Sequence, residues 1–272
     1  MNSVHPKTHP PVLDLAVSAA MFGYFLLGFF TFFWPAYLYL GWIHPGGEAG
    51  FRLANHYYLR IFFRLAKLVV PGLKIELPDK KEISGIGPAV VVCNHLSFLD
   101  PLLLISIFRN ASTIVKEKHI SFPFFGWIMK KSGFISSSLE AGDELWSDAM
   151  LQKAQKTLSE GGVVFIFPEG TRSASGKPAK FKKGAFFFAK TLQAPLEMFL
   201  LNGTNILFPP GRTLLNARPG CPLELKRLGR LDLTGELGRR SAKKIRDRVF
   251  AEYQGAASGV RPPTPTAPPP RS

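Results

Sequence analysis

A histidine and an aspartate lie five residues apart in a short segment that follows a strongly apolar stretch. The apolar residues Ala89–Cys93 predict a buried strand, and Pro101 with the leucines after it predicts the first turns of a helix. His95 and Asp100 would then lie in the loop between them, where ligands usually bind in α/β sheets. A neutral imidazole can take a proton near pH 7, and a neighbouring carboxylate would fix its tautomer and stabilise the imidazolium. The pair could therefore be catalytic.

A structural role is the simpler alternative for this segment. Residues 97–100 also match a capping box, in which Ser97 begins a helix and Asp100 reaches back to its start. On this segment alone the capping interpretation is preferred. However, a second apolar stretch, residues 163–167, also leads into polar residues, at 169–173. Two buried strands that each end in a polar loop can bring those loops into one cleft, which favours the catalytic interpretation.

Both loops carry extended motifs. Residues 94–100 are Asn-His-Leu-Ser-Phe-Leu-Asp, and residues 167–173 are Phe-Pro-Glu-Gly-Thr-Arg-Ser. With both motifs in this order, the sequence resembles the glycerolipid acyltransferases of the 1-acyl-glycerol-3-phosphate acyltransferase type, over about residues 94–204. The resemblance implies an enzyme of phospholipid biosynthesis that transfers a fatty acyl group from acyl-CoA or acyl carrier protein to 1-acyl-sn-glycerol-3-phosphate, giving phosphatidic acid. It implies no metal and no cofactor beyond the acyl donor.

The resemblance also implies roles for individual residues. His95 is the general base for the acceptor hydroxyl, Asp100 orients it, and no covalent acyl-enzyme is required. The second motif helps to bind the acceptor, and the planar guanidinium of Arg172 suits a phosphate. Asn94 and Ser97 would mainly support the loop. The predicted substrate-binding residues are Asn94, Ser97, Lys116, Glu169, Gly170, Thr171, Arg172 and Lys182.

Two segments depart from the family pattern. Members usually have a Gly-x-Ile-Phe-x-x-Arg-like segment whose arginine contributes to the acceptor phosphate site, but residues 133–139 are Gly-Phe-Ile-Ser-Ser-Ser-Leu, and no arginine occurs in residues 110–171. Either Lys116 or Lys182 replaces it, or the acceptor is a non-phosphate lyso-lipid, for example one that contains an amino acid. A Pro-Ile-Val-Pro-like segment is also altered, to Pro-Leu-Glu-Met-Phe-Leu at residues 195–200.

Charge and cysteine content limit the other classes of function. The 272 residues carry a net charge of +15, which implies anionic partners. No nucleic-acid-binding motif accompanies the charge, so an anionic lipid leaflet or an acidic acyl carrier is expected instead. Cys93 and Cys221 lack the spacing of a disulfide framework or metal site, and Cys93 is better explained as a buried apolar residue than as a nucleophile. A thioesterase and a catalytically silent lipid-binding protein remain as alternatives.

The N-terminal region predicts attachment to a membrane. Residues 15–43 contain no charge and exceed the roughly 20 residues that cross a bilayer as a helix. Because Pro35 should break or kink this helix, either one tilted span or a bent, re-entrant pair is expected. Residues 51–70 predict a basic amphipathic helix at the headgroup interface, with the catalytic domain on the cytoplasmic side, at the inner membrane if the source is bacterial. Its basic residues recur every four positions, at Arg52, His56, Arg60 and Arg64.

Beyond residue 70 the pattern predicts an α/β domain with a mostly parallel central sheet flanked by helices, like that of the glycerol-3-phosphate acyltransferases. The predicted strands are 73–76, 89–93, 112–115, 133–136, 163–167 and 196–201, and the predicted helices are 101–108, 124–131, 143–159, 184–192 and 239–253. The expected organisation is a membrane anchor with the amphipathic helix (1–70), a catalytic domain (71–253) and a disordered, Pro-rich tail (254–272). An aromatic cluster could line an acyl tunnel, although core or membrane contact is more usual: Phe122, Phe124, Phe125 and Trp127.

Overall fold

The computed structural model describes residues 11–43, 47–137, 146–173 and 178–257. Ser138 and Leu139 of the altered family segment lie outside the described residues, as does most of the predicted tail. Residues 254–257, where the tail was expected to begin, are instead the last turn of a helix.

Seven strands form one sheet in the order β1-β7-β6-β2-β5-β3-β4. Every pairing is parallel except that of β6 with β7, so the predicted mostly parallel sheet is confirmed. The strands are β1 (Ile75–Glu76), β2 (Ala89–Cys93), β3 (Ala111–Lys116), β4 (Ile135–Ser137), β5 (Val163–Ile166), β6 (Leu196–Asn202) and β7 (Leu223–Leu231).

Helices cover both faces of the sheet, because alternate side chains of the apolar central strands point to opposite sides. Val91 and Phe165 join the core on one face, whereas Val90 and Val164 join the core on the other. The helices are α1 (Pro11–Gly23), a π-helical segment (Tyr24–Phe33), α2 (Trp34–Ile43), α3 (Glu48–Val69), α4 (Lys80–Ser84), α5 (Leu99–Ile107), α6 (Glu117–Ile120), α7 (Phe125–Lys131), α8 (Asp148–Ser159), α9 (Gly184–Thr191), α10 (Thr204–Leu207), α11 (Glu236–Arg239) and α12 (Ala242–Ala257).

The altered segment at residues 195–200 is explained by β7, which the sequence analysis missed. Glu197 of β6 is fully buried. Arg227 of β7 donates to both of its carboxylate oxygens, at 2.8 and 3.0 Å, and Arg230 donates at 3.2 Å. A buried carboxylate is tolerated when it is paired and hydrogen-bonded in this way. The two arginines of the antiparallel strand β7 therefore neutralise the carboxylate of Glu197, which would otherwise be buried in β6 without a partner.

The N-terminal apolar segment is helical throughout, from α1 through the π-helical segment to α2. The expected break at Pro35 is wrong. Pro35 lies two residues after Phe33, the end of the π-helical segment, where the hydrogen-bond register changes. Such irregular turns accommodate a residue without an N–H group. The helix Val12–Ile43 is long and apolar enough to cross a membrane, and its apolar side chains include several that are widely exposed, such as Leu27, Phe32 and Trp42.

The prediction that α3 presents Arg52, His56, Arg60 and Arg64 together at the headgroup interface is wrong for the first two residues. Arg52 and His56 are buried against the rest of the protein rather than exposed to headgroups. Arg52 donates to the carbonyl of Ser132 at 3.1 Å and pairs with Glu48 and Glu160, and His56 Nδ1 lies 3.2 Å from the carbonyl of Ile105. Because α3 packs against both α5 and the N-terminal helix, only the rest of its surface is exposed and can present basic residues to headgroups.

Candidate active site

The predicted histidine–aspartate pair is formed at the carboxyl end of β2. His95 Nδ1 lies 2.8 Å from Asp100 Oδ2. Because an ionised carboxylate can only accept hydrogen bonds, Nδ1 is the donor and the neutral ring has its unprotonated nitrogen at Nε2. The His95 side chain is 18% exposed, whereas the Asp100 side chain is fully buried. The ring therefore has a fixed tautomer and an accessible base.

The capping interpretation holds for Asp100, which reaches back to the start of α5, whereas the N-cap of the helix is Phe98 rather than Ser97. Asp100, in the first turn of α5, accepts the backbone N–H of Leu96 at 2.5 Å and that of Ser97 at 2.8 Å, through the same oxygen that contacts His95. Its other oxygen, Oδ1, is buried without a hydrogen-bond partner among the described residues. One carboxylate oxygen thus closes the loop and holds the imidazole.

The side chains of Asn94 and Ser97 anchor the first motif loop to the backbone of neighbouring segments, as expected for supporting residues. The Asn94 side chain exchanges two hydrogen bonds with the backbone of Leu201, at 2.9 and 2.7 Å, and so extends the pairing of β2 with β6 by one residue. The Ser97 hydroxyl donates to the carbonyl of Phe208 at 2.8 Å. Both side chains are buried. Their direct contact with a substrate stays a prediction.

The two motif loops meet, as their positions after neighbouring strands predict. Glu169 is buried, and its carboxylate accepts the N–H of His95 at 2.9 Å and that of Ala179 at 3.0 Å. Burial raises the pKa of the Glu169 carboxyl, while these two bonds oppose the rise. The N–H of Ser173 donates to the carbonyl of His95 at 2.7 Å, and the Phe167 ring stacks on the imidazole with 4.2 Å between centroids. The second motif therefore supports His95 directly.

A cavity of about 400 Å³ opens beside His95 and contains four of the eight predicted substrate-binding residues. These four are Lys116, Gly170, Arg172 and Lys182. Thr171 is exposed outside the cavity lining, and Glu169 lies behind it. The volume is typical of a small-molecule site. Much of the rest of the lining is apolar and includes Leu102, Ile105, Ile114, Val115, Met129, Phe134 and Ile166.

Lys116 lies beside the described part of the altered family segment. In the parallel pairing of β3 with β4, Lys116 is in register with Ser137, and both residues line the cavity. Ser137 lies in the segment where family members carry Gly-x-Ile-Phe-x-x-Arg. A cation on the adjacent strand can therefore reach the same end of the cavity. The exposed Arg172 and the half-buried Lys182 also line the cavity, which gives the site three lysine and arginine side chains among the described residues.

Two lining residues were missed by the sequence analysis. His119 lies on α6, and burial lowers its pKa, with further lowering from Lys118, Lys116 and Arg172. Trp146 donates its indole N–H to the carbonyl of Gly184 at 3.0 Å and so closes one side of the cavity. Neither residue belongs to a motif, and their separation from His95 in the sequence left no signal that they share its cavity.

The aromatic cluster does not line this cavity. Phe125 stacks on Phe29 of the N-terminal helix at 4.6 Å, and Phe124 meets Trp34 edge to face at 5.2 Å. Phe124 is held outward by a γ-turn, with φ of 58° and a hydrogen bond from the N–H of Phe125 to the carbonyl of Pro123. Phe124, Phe125 and Trp127 instead join the sheet domain to the apolar helix, which is the alternative that the sequence analysis preferred.

Other chemistries find little support at the site. Cys93 is fully buried, and burial raises the pKa of its thiol well above the ordinary value, with Asp100 and Glu169 adding to the rise. A thiol of this kind is a poor nucleophile. Among the described residues, no group of three or more His, Cys, Asp or Glu side chains could hold a metal ion.

The chain is similar to known acyltransferases. Residues 74–197 match the family model named Acyltransferase. The chain is 32% identical over 161 residues to the chloroplastic 1-acyl-sn-glycerol-3-phosphate acyltransferase of Arabidopsis thaliana, covering 59% of this chain and 44% of the relative. It is 38% identical over 170 residues to such an acyltransferase of Chlamydomonas reinhardtii, covering 62% of this chain and 50% of the relative. The chain thus spans about half the length of these curated relatives.

A solved structure supports the fold over almost the whole chain. The crystal structure of the 1-acyl-sn-glycerophosphate acyltransferase PlsC from Thermotoga maritima superposes with a TM-score of 0.70 at 22% identity, covering 92% of this chain and 96% of that one. This likeness confirms the predicted fold class. The family match over residues 74–197 agrees with the family that the two motifs predicted.

Proposed function

We propose that this protein is a membrane-bound O-acyltransferase that moves a fatty acyl group from acyl-CoA or acyl carrier protein to 1-acyl-sn-glycerol-3-phosphate. The product is phosphatidic acid. The observation that carries the proposal is the combination of an accessible base, His95, with a cavity that has both an apolar wall and three cations. A lysophosphatidate acceptor and a fatty acyl thioester together carry the two matching features: a phosphate for the cations and long hydrocarbon chains for the apolar wall.

His95 acts as the general base in the proposed reaction. Its Nε2 removes the proton of the acceptor hydroxyl as the hydroxyl oxygen bonds to the thioester carbonyl carbon. When the tetrahedral intermediate collapses, the carbon–sulfur bond breaks and the thiolate leaves with the proton from the imidazolium. Asp100, 2.8 Å from Nδ1, stabilises the imidazolium that exists between these steps and is a positioning partner for the ring. No metal or cofactor takes part in the proposed steps.

Lys116, Arg172 and Lys182 bind the acceptor phosphate in this proposal. Lys116 replaces the family arginine from the neighbouring strand, a substitution supported by its register with Ser137. Lysine and arginine side chains form charge-assisted hydrogen bonds with phosphate oxygens. The alternative is a lyso-lipid acceptor without a phosphate, which the absence of an arginine from residues 110–171 favours.

Residues 12–43 attach the enzyme to the membrane, with the catalytic domain on the cytoplasmic side. The length and apolar composition of this helix support attachment. The positive charges that follow the helix along the chain support the cytoplasmic side. Attachment would also present the cavity to acceptor molecules that are themselves dissolved in the bilayer.

An acyl-transfer assay on membranes that contain the full chain tests the proposal. Two acceptors that differ only by the phosphate, 1-acyl-sn-glycerol-3-phosphate and 1-acyl-sn-glycerol, are offered separately with acyl-CoA or acyl carrier protein, beside an amino-acid-containing lyso-lipid. The expected result is transfer to the phosphate acceptor and loss of transfer in His95→Ala. Steady release of thiol without any acceptor would indicate a thioesterase, and near-normal turnover of His95→Ala would refute the role of the base.

A matched pair of lysine variants tests the phosphate site. Lys116→Gln should raise the KM for 1-acyl-sn-glycerol-3-phosphate by about tenfold or more, because a hydrogen bond between two charged groups contributes roughly 1.5–3 kcal/mol. Lys118→Gln is the control, since Lys118 is exposed nearby but does not line the cavity. Equal effects of the two variants would contradict the assignment. Transfer to the non-phosphate acceptors alone would identify the changed segment at residues 133–139 as a changed acceptor site.

A further inference from the structure

A second cavity, of about 670 Å³, lies at the opposite ends of the strands from the catalytic one. It is lined by Asn110 and Val163, which lie at the amino ends of β3 and β5, whereas the catalytic cavity reaches Lys116 and Ile166 at the carboxyl ends of the same strands. The two cavities share no lining residue. A ligand of the second cavity would therefore not occupy the site of acyl transfer.

The rim of the second cavity is strongly basic. Five cations line it, and no Asp or Glu of the described part of the chain is among the lining residues. Arg109 contacts the hydroxyl of Tyr57 at 3.3 Å, and Arg60 lies 3.4 Å from His56 Nε2. Neither partner is a carboxylate, so neither contact neutralises the charge of its arginine. A concave surface with one sign of charge attracts an anion. The five cations are Arg60, Arg64, Lys67, Lys80 and Arg109.

The interior of the same cavity is apolar. Phe63 of α3 and Leu103 of α5 are buried in its wall, and Leu77 lies at the lining with 44% of its surface exposed. An inorganic anion would gain nothing from these side chains. A phosphate ester that carries a hydrocarbon chain would use both the basic rim and the apolar wall.

The surface beside the cavity is suited to a bilayer. Tyr57, Ile61, Arg64 and Leu68 recur at intervals of four, three and four residues and form one stripe on α3. Ile61 is 42% exposed and Leu68 is 82% exposed, while Arg64 of the same stripe lines the cavity. Exposed apolar side chains mixed with basic ones are typical of helices that lie in the headgroup region. This stripe favours a lipid over a dissolved phosphate compound as the ligand.

We propose that the second cavity binds the headgroup of an anionic phospholipid of the membrane, with part of an acyl chain against Phe63 and Leu77. The basic rim contacts the headgroup phosphate, and the exposed stripe of α3 lies in the headgroup region. Because the catalytic cavity is separate, a lipid bound here occupies neither the acceptor site nor the product site of the reaction. It fixes the orientation of the domain on the bilayer.

Lipid binding to the purified full chain in a non-ionic detergent tests this proposal. Native mass spectrometry counts the lipids bound when phosphatidylglycerol, phosphatidylcholine or inorganic phosphate is added. The test variant combines Arg64→Gln, Lys67→Gln and Lys80→Gln, which are exposed residues of the rim. The control combines Lys226→Gln, Lys243→Gln and Lys244→Gln, which remove the same charge from exposed positions outside both cavities.

The expected result is that phosphatidylglycerol binds the unchanged protein and binds the test variant at least about tenfold more weakly, whereas the control variant binds as the unchanged protein does. Acyl transfer measured in detergent should be the same in all three forms. Equal lipid binding by the test variant, or an equal loss in the control, would overturn the proposal. So would phosphatidylcholine binding as tightly as phosphatidylglycerol, or displacement of the lipid by equimolar inorganic phosphate. Each of these readouts is independent of which acceptor the enzyme uses.

Discussion

Replacing Asp100 by asparagine should separate the orientation of His95 from the charge that stabilises its protonated form. All three hydrogen bonds to the carboxylate converge on Oδ2, from His95 Nδ1 at 2.8 Å and from the N–H groups of Leu96 and Ser97 at 2.5 and 2.8 Å. An asparagine can turn its carbonyl oxygen to this position, because the two backbone donors require an acceptor there. Its amide nitrogen would then occupy the position of Oδ1, which has no hydrogen-bond partner among the described residues. The imidazole should keep its tautomer.

The expected loss follows from the change in one hydrogen bond. A hydrogen bond to a charged group contributes roughly 1.5–3 kcal/mol and a neutral one about 0.5–1.5 kcal/mol. Asp100→Asn should therefore raise the barrier by about 1–2 kcal/mol, which lowers kcat roughly 5–30-fold. Asp100→Ala removes the orientation as well, and its loss should approach the whole contribution of a general base, about 10²–10⁴-fold. The KM for the acceptor should change little in either variant, because Asp100 does not line the cavity.

The measurement is kcat for acyl transfer at saturating substrate, by release of thiol from the acyl donor in the presence of acceptor. Thermal unfolding shows that each variant is folded, and ¹⁵N NMR of the imidazole reports which ring nitrogen carries the proton. The reasoning would be refuted if Asp100→Asn were as inactive as Asp100→Ala, or if its imidazole carried the proton on Nε2. Either outcome would mean that the backbone donors do not control the orientation of the side chain.

Three further predictions concern stability. Arg227→Ala should lower the free energy of unfolding by about 3–5 kcal/mol, because it leaves the buried Glu197 carboxylate incompletely paired; in denaturant unfolding, a double change of both residues to methionine should recover most of the loss. Tyr253→Phe should cost about 1–3 kcal/mol in the same measurement, since the Tyr253 hydroxyl accepts the N–H of Phe199 at the irregularity in β6; an unchanged midpoint would contradict this role. Burial lowers the pKa of His56, so His56 binds a proton more readily in the unfolded chain than in the folded one. The free energy of unfolding should therefore decrease as the pH falls below about 6.5, by up to about 1.4 kcal/mol per pH unit. His56→Asn should flatten the fall in melting temperature between pH 7.5 and 5.5, and an equally steep fall in that variant would count against the explanation.

The central strands and the two motif loops were predictable because their signals are local. A run of five apolar residues such as Ala89–Cys93 is long enough for a buried strand, and the polar residues after it have to lie at the sheet edge. The strand β2 has the predicted bounds, and the contact of His95 with Asp100 follows from a spacing of five residues across a helix start.

Features that depend on pairing between distant segments were not predictable. The strand β7 alternates leucine with glutamate and basic residues. Its arginines are explained only by the pairing with β6, which brings Glu197 opposite them. The register of Lys116 with Ser137 likewise depends on which strands are neighbours. In α3 the period of four correctly groups Arg52 with His56 on one face, but it does not say whether that face meets water or protein, and here it meets protein.

Helix α3 determines where the chain could be shortened. Its side chains Leu59, Phe62 and Phe63 are buried in the same core as the central strand β2, so a protein that begins at residue 71 would lack part of its own interior. A chain that begins at Glu48 would keep this core and the pairing of Glu48 with Arg52 and Lys156, but it would expose the aromatic surface that the apolar helix covers. Removal of the apolar helix and preparation of a water-soluble protein are therefore separate engineering problems, and the second requires new polar residues at Phe124 and Phe125.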